Sequence, residues 1–508
     1  MSKHYDVAVL GQGLGALVCA ALLARRSWRV LVIGQGSRPA TYTFEGHRFA
    51  RRSFAFVACS SPAWTRVLVE LAQSQTFRRK ASPLDPMFSV LTPRFRLDVP
   101  PSQEIFAREI DREFPLVRRV IDDLYAELAR TNAAADAAFD ADVVWPPGTF
   151  WERRETRRFA ELLPHLEAPE PTYLSEFPRD HPYRDVFVMP AERASDLAGR
   201  LPPFALARLH GAWTRGVAAL ARGEDELTDF LQGRVRAHGG ELRLGDRVRR
   251  LVMRSGKVAG VEIEGDPSTV GVQFVVSDGT AESLLGLARD ARPGRRVLDR
   301  MPTTTALEHR FVTSVIAREE VVPAPLAVAS FMVPDRARHA DLVDIFVTRT
   351  AGDVPGTVTL TCEAIVGDDV DLHALRERSL GTLEQYVPFL ARHVVACDSP
   401  HDGRPLWWFE GGRKVEIERA RVRPSGASVE PEAMVPRYRV DPASFYDLPG
   451  EPVRAPVANA FLTGPTVLPA LGQEGQILAA WSAARIITRT DRGKERMRRE
   501  MWSKVELS

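Results

Sequence analysis

The sequence predicts an α/β fold built on a parallel sheet, with further strand and helix segments set between its parts. Three observations carry this expectation. The chain opens on an apolar run, a glycine turn, a helix-like apolar stretch and a second apolar run; a run, turn and helix recur near its end; strand and helix patterns alternate between them. At 508 residues with 44% hydrophobic content the chain can bury a large core, and its length suggests two or three domains.

The opening stretch "YDVAVLGQGLGALVCAALLARRSWRVLVIG" reads as strand 7–10, helix 14–24 and strand 30–33. Gly11 and Gly13 match the first two glycines of GxGxxG, and Ala16 takes the third place, where a small residue suffices for close packing of helix on strand. A pyrophosphate reaches backbone N–H groups at a helix N-terminus only where no Cβ intervenes, and the helix dipole favours its charge there. Alone the motif is weak; between two strands and at the head of a helix it predicts a Rossmann-like dinucleotide-binding unit.

The fingerprint's third element is an acidic residue closing the second strand, which accepts hydrogen bonds from the ribose. Here that place is Gly34. Gln35 offers a neutral hydrogen bond instead, and Ser37 or Arg38 could meet the phosphates. If the site is merely weakened, a Glu at position 34 should tighten dinucleotide binding.

Farther along, "DELTDFLQGRVRAHGGELRLGDRVRRLVMRSGKVAGVEIEG" reads as helix 225–237, a Gly-Gly turn and strands near 242–244, 248–253 and 258–264. The run "VQFVVSD" (272–278) follows, then a helix. Near the end, "NAFLTGPTVLPALGQEGQILAAWSAARII" is a strand, a Gly/Pro turn and a helix from about Gln473 to Ile487.

At these three places the chain resembles the phytoene desaturase-like branch of the FAD-dependent amine oxidase superfamily. Gly11, Gly13 and Ala16 match its N-terminal fingerprint, "GGELRLGDRVRRLVMRSGKVAGVEIEG" its central strand segment, and "FLTGPTVLPALGQEGQILAAWSAA" its C-terminal motif. The stretch "LEQYVPFLARHVVACDSP", read as a helix with Pro388, is similar to a late segment of that family's substrate domain. The resemblance implies a Rossmann-like, GR2-type FAD/NAD(P)-binding domain assembled from residues 1–81, 213–287 and 456–490, an inserted mixed-sheet α+β substrate domain from 82–212 and 288–455, and a basic tail at 491–508. It implies FAD as cofactor, with Gly11, Gly13, Leu14, Gly15 and Ala16 facing the pyrophosphate, Val248 the adenine through its backbone, and Gly464 the ribityl-phosphate. Glu474, Gly475, Gln476 and Ile477 would lie beside the flavin's pyrimidine edge, where a helix N-terminus stabilises negative charge. Pro465 replaces the acidic residue many members have after that glycine, and it removes a backbone donor.

The resulting expectation is an FAD-dependent desaturase, isomerase or oxidase that transfers hydride from an apolar small molecule to flavin. No catalytic side chain stands out, because HExxH, GxSxG and CxxC are all missing and the histidines are isolated. With Gly34 and Pro465 both departing from the pattern, a second reading is a cofactor-free partner- or lipid-binding scaffold similar to the GDP dissociation inhibitors. A third takes NAD(P).

The balance of 68 Lys and Arg against 66 Asp and Glu gives no field that would recruit nucleic acid. "FWERRETRRF" reads as a solvated helix, and "LWWFEGGRK" as core aromatics or the lining of a substrate tunnel. Cys19, Cys59, Cys362 and Cys397 are scattered, no run reaches the roughly 18 residues of a spanning helix, and the N-terminus has no signal-peptide pattern. A cytoplasmic protein is expected. The basic tail, with Met497, Met501 and Val505 at helical spacing beside Trp502, could touch an anionic membrane surface.

Overall fold

The computed structural model describes residues 4–163, 172–291, 293–422, 426, 428–441 and 448–505. Its first sheet has seven strands drawn from three distant parts of the chain. His4–Leu10 sits at the centre, parallel to Val30–Ile33 on one side and to Thr269–Ser277 on the other. Glu241–Arg243 extends the sheet beyond Val30–Ile33, and Ala460–Leu462 pairs in parallel with Thr269–Ser277. The antiparallel strands Val248–Arg254 and Lys257–Ile263 complete the far edge. Val7–Leu10 and Val30–Ile33 are buried at every position, so the central strands read as unbroken apolar runs rather than alternating ones.

The helix Leu14–Arg25 is buried from Gly15 to Ala24, because it lies between the sheet, the helix Glu224–Ala237 and the helix Gly472–Thr488. Gly15 permits that seating: a Cβ there would stand 1.9 Å from the Thr463 carbonyl oxygen. Where this helix ends, Arg26 donates to Glu70 from Nε at 2.7 Å and from Nη2 at 3.0 Å, and to Thr488 Oγ1 at 3.2 Å. Glu70 also accepts from the Trp502 indole at 3.3 Å, so the Arg26–Glu70 pair joins four helices.

The second sheet has ten strands, with Thr303–Arg318 and Thr357–Gly367 paired antiparallel along eleven registered residue pairs at its middle. Val435–Asp441 lies along the first half of Thr303–Arg318, and Val394–Asp398 along the second. The helix Leu372–Tyr386 buries Leu375 and Leu383 against one face. Helices Arg118–Phe139, Tyr183–Ala194 and Pro203–Thr214 pack together between the two sheets. Trp213 ties them to the second sheet, with its ring 5.5 Å from Phe331 and 5.8 Å from Phe346.

One sequence expectation is corrected here, and the segments behind two others take definite places. The stretch around Pro388 is not one helix: the helix stops at Tyr386, because proline cannot continue it, and Val394–Asp398 is a strand. "LWWFEGGRK" forms a hairpin, with Trp407 in the core beneath Arg376 at 4.7 Å, as core aromatics would be. The tail helix Arg492–Val505 lies on its own protein. Trp502 meets the Trp481 ring at 6.1 Å, Arg498 pairs with Asp142 at 2.8 Å, and Lys494 sits 3.7 Å over Trp28. Met497 stays exposed, while the side chains of Met501 and Val505 lie outside the described residues. Among the described residues no helix is long and apolar enough to cross a membrane. The four cysteines are free.

Gly34 is required by packing. A Cβ there would fall 1.9 Å from the Leu244 carbonyl oxygen and 2.8 Å from the Gln12 amide nitrogen. Gly34→Ala and Gly34→Glu should therefore each lose about 1–3 kcal/mol from the overpacked contact, read as a lower urea midpoint at unchanged m-value, and neither should tighten dinucleotide binding. Glu70→Gln leaves Arg26 buried without its counter-charge and should cost about 3–5 kcal/mol by the same measurement.

A candidate cofactor groove and the charged partition beyond it

After Leu10 the chain turns through Gly11, at φ 106°, and Gly13 caps the helix Leu14–Arg25. The Gly13 N–H, which no helical carbonyl can accept from, donates to Asp278 Oδ2 at 2.7 Å. Asp278 directly follows the strand Thr269–Ser277, whose parallel pairing with His4–Leu10 brings it to the glycine turn. A Cβ on Gly11 would lie 1.9 Å from its Oδ1, and one on Gly13 2.9 Å from its Oδ2. Burial pushes this carboxyl up to about 6, against the pull of the Gly13, Gln12 and Asp278 backbone donors. Sequence reasoning missed Asp278; the signal was the last letter of "VQFVVSD", a carboxylate at the end of a strand parallel to the fingerprint strand.

A cavity of about 710 Å³ opens over this turn, walled by Gln12, Gly13, Ser37, Arg38, Arg52 and Asp278 among others. A second cavity, of about 250 Å³, shares Gly13, Arg52, Glu224 and Thr228 with it and continues beneath Leu14, Leu17, Phe54, Trp213, Pro465 and Gln476. Together they form one groove, polar at the glycine turn and largely apolar at the other end.

The predicted residues distribute unevenly along this groove. Gly13, Leu14, Ser37, Arg38, Pro465 and Gln476 line it. Arg38 pairs with Glu432 at 2.8 Å, and Gln476 donates to Asp196 Oδ2 at 2.9 Å. Gly34 donates its N–H to the Arg243 carbonyl and has no room for a side chain. Gln35 accepts from the Val248 N–H at 2.5 Å, so the two positions expected to meet the nucleoside satisfy one another. Gly464 brings its backbone against that of Asp278, with 1.9 Å from a Cβ to the carbonyl oxygen. Gly15 and Ala16 are buried in the helix packing.

Three residues of the last helix turn from the groove. Ile477 is in the core, and Gly475 abuts Leu468. Glu474 accepts from Arg208 at 2.6 and 2.7 Å and from Ser61 Oγ at 2.6 Å. Burial raises its carboxyl, but Arg208 outweighs that and holds it below the usual range. It is a structural anion. The neighbouring Gln473, unforeseen from sequence, takes the wall instead: its Oε1 accepts from the Val57 and Ala58 N–H groups at 3.1 and 3.2 Å.

At its apolar end the groove meets a partition of buried charges. Glu363 Oε1 lies 2.7 Å from Arg193 Nε and 2.8 Å from Arg310 Nη1, and Glu363 Oε2 accepts from Ser53 Oγ at 2.6 Å. Arg310 Nη2 also donates to the Ser195 carbonyl at 2.6 Å. Burial pulls Arg193 down to about 10, with Glu363 opposing; burial raises Glu363, but Arg193 and Arg310 hold it below the usual carboxylate range.

Arg193 and Glu363 also line a third cavity, of about 500 Å³, bounded by Glu192, Glu308, Phe331, Arg336, Asp344, Phe346 and Arg437. Its acids are mostly neutralised, Asp344 by Arg336 at 2.8 Å and Glu308 by Arg437. Glu192, half-buried, forms no ion pair among the described residues; burial raises its carboxyl and Arg437 moderates this.

Comparison with known proteins places this geometry. No curated protein sequence matches the chain. Among solved structures it is similar to an oxidoreductase from Methanosarcina mazei, with 16% identity and TM-score 0.58 over 94% of this chain and 99% of that one. It is also similar to a triple mutant of putrescine oxidase, with 14% identity and TM-score 0.56 over 97% and 100% of the two chains. Cyclohexylamine oxidase from Brevibacterium oxydans follows, with 15% identity and TM-score 0.51 over 96% and 99%. At these identities the likeness is one of fold. The model of a protein family described as "FAD dependent oxidoreductase" matches residues 6–348, which span the glycine turn, Asp278 and the two arginines of the partition, Arg193 and Arg310. With most of its length matched, and with a continuous groove running from a dinucleotide turn to an apolar end, the chain belongs to the FAD-dependent oxidoreductases, and FAD is the cofactor of its family.

Proposed function

We propose that the protein oxidises a polar small molecule bearing a positive charge, which reaches the cofactor groove through the cavity lined by Glu192. When bound, FAD accepts the hydride released by a substrate C–H bond. In this reading the Gly13 N–H with Ser37, Arg38 and Arg52 would hold the anionic half of the cofactor. Leu14, Leu17, Phe54 and Trp213 would exclude water from the end where oxidation takes place. The Arg193 and Glu363 partition would orient the substrate's polar groups at the boundary between the two spaces.

Glu192 carries the proposal. Three of the four carboxylates on that cavity already have an arginine, and Glu192 does not. A half-buried carboxylate lacking a counter-charge is offset by a substrate cation that supplies one. The apolar substrate expected from the resemblance would have to lie against seven charged side chains here: Glu192, Arg193, Glu308, Arg336, Asp344, Glu363 and Arg437. Membership in an FAD-dependent family leaves the cofactor-free scaffold reading unfavoured.

Anaerobic mixing of the FAD-loaded protein with a panel of primary amines and of neutral apolar alkenes tests the substrate class. Loss of flavin absorbance near 450 nm is expected with amines; bleaching by the alkenes alone would overturn the reading. Glu192→Gln removes one charge-assisted contact, so KM for a reactive amine should rise by about 10- to 100-fold while kcat stays within about threefold.

A further inference from the structure

We propose that Asp278 is an internal occupant of the dinucleotide cradle: its carboxylate holds the Gly13 N–H where the FAD pyrophosphate belongs, and FAD enters by displacing or neutralising it. This rests on the reading that the glycine turn takes the pyrophosphate.

The geometry argues that the turn accommodates either anion, and one at a time. The Gly13 N–H is committed to Asp278 Oδ2 at 2.7 Å, and the space that the missing Cβ atoms of Gly11 and Gly13 leave open is filled by the same carboxylate. The fingerprint glycines clear that space so that an anion can approach the backbone. Asp278 is anchored for the role, since its N–H donates to the Leu10 carbonyl at 3.1 Å and Gly464 packs against its backbone.

No basic side chain pairs with Asp278 among the described residues. The arginines of the same cavity are engaged elsewhere: Arg52 with Glu224 at 2.7 Å, Arg38 with Glu432 at 2.8 Å, Arg222 with Asp229 at 2.7 Å. Asp225, on that cavity as well, accepts from the Ala40 N–H at 2.6 Å. Behind Asp278, the Tyr438 phenol is raised chiefly by burial and in part by Asp278, and Glu451 is tied to Ala281, Thr304 and Thr466. Among the described residues only backbone N–H groups, those of Gly13, Asp278 and Gln12, compensate the carboxylate's charge. A pyrophosphate brought to the same donors would meet a like charge.

The sign of the pH dependence follows. Burial holds the Asp278 carboxyl near 6, so below that pH it is protonated and above it anionic. An adjacent pyrophosphate raises the carboxyl further, so FAD binding above about pH 6 takes up a proton and affinity falls as pH rises.

The test is a titration of the full-length, flavin-stripped protein with FAD, followed by quenching of flavin fluorescence at about pH 5.5 and about pH 8, for the parent, Asp278→Asn and Asp278→Ser. At the higher pH both variants should bind about tenfold tighter or better than the parent, and the parent's Kd should fall about tenfold on acidification while theirs stay nearly constant. The parent's own pH dependence requires no substitution, so a variant that folds poorly does not remove the test. Parent affinity that is flat with pH, or variants that bind no better than the parent, would overturn the occupancy of the cradle by Asp278. Failure of all three proteins to bind FAD at either pH would instead overturn the pyrophosphate reading on which it stands.

Discussion

The molecule is organised around a meeting of backbones at one end of its first sheet. Gly11, Gly13 and Gly15 come from the start of the chain, Asp278 from its middle, and Thr463 and Gly464 from its end; a Cβ on Gly15 or Gly464 would strike backbone, and one on Gly11 or Gly13 the Asp278 carboxylate. Two parallel strand pairings force this convergence, since Thr269–Ser277 lies between His4–Leu10 and Ala460–Leu462. Everything functional is positioned from that point. The groove begins at the Gly13 N–H, which Asp278 accepts from, and Pro465 and Gln476 follow from the strand end that Gly15 touches.

What could be read from the sequence was local or periodic. The helix Leu14–Arg25 and the strands flanking it follow from an apolar run interrupted by glycines, and the structure places them within a few residues of the expected bounds. The strand after Pro388 was less legible. Its residues Val394–Asp398 owe their conformation to pairing with Thr303–Arg318, roughly eighty residues earlier, and the helix-forming residues before it masked the change.

Side-chain roles were harder still, because they depend on partners far away in sequence. Glu474 looked like a cofactor residue until Arg208, 266 positions away, claimed its carboxylate. Gly34 looked like a lost ribose ligand, yet the constraint on it is the Leu244 carbonyl, which no motif records. Gln35 and Val248 were separately assigned to the nucleoside and turn out to bond each other across 213 positions. In each case the residue type was legible and its partner was not.

The charged partition between groove and outer cavity is the least expected part of the design, and its cost indicates why it is there. Arg193, Arg310 and Glu363 are almost wholly removed from water, and a buried ion pair of this sort seldom stabilises a fold more than well-packed apolar side chains of equal volume would. The neighbouring core shows that apolar packing was available, since the rings of Phe331, Phe346 and Trp213 meet edge-on or tilted within 6 Å of one another. Burying three charges in a place that apolar residues could fill makes sense if polar groups must meet them from the cavity side. On the proposed function, stability is the wrong measure of these residues, and their value would lie in the orientation they impose on a substrate between the two spaces.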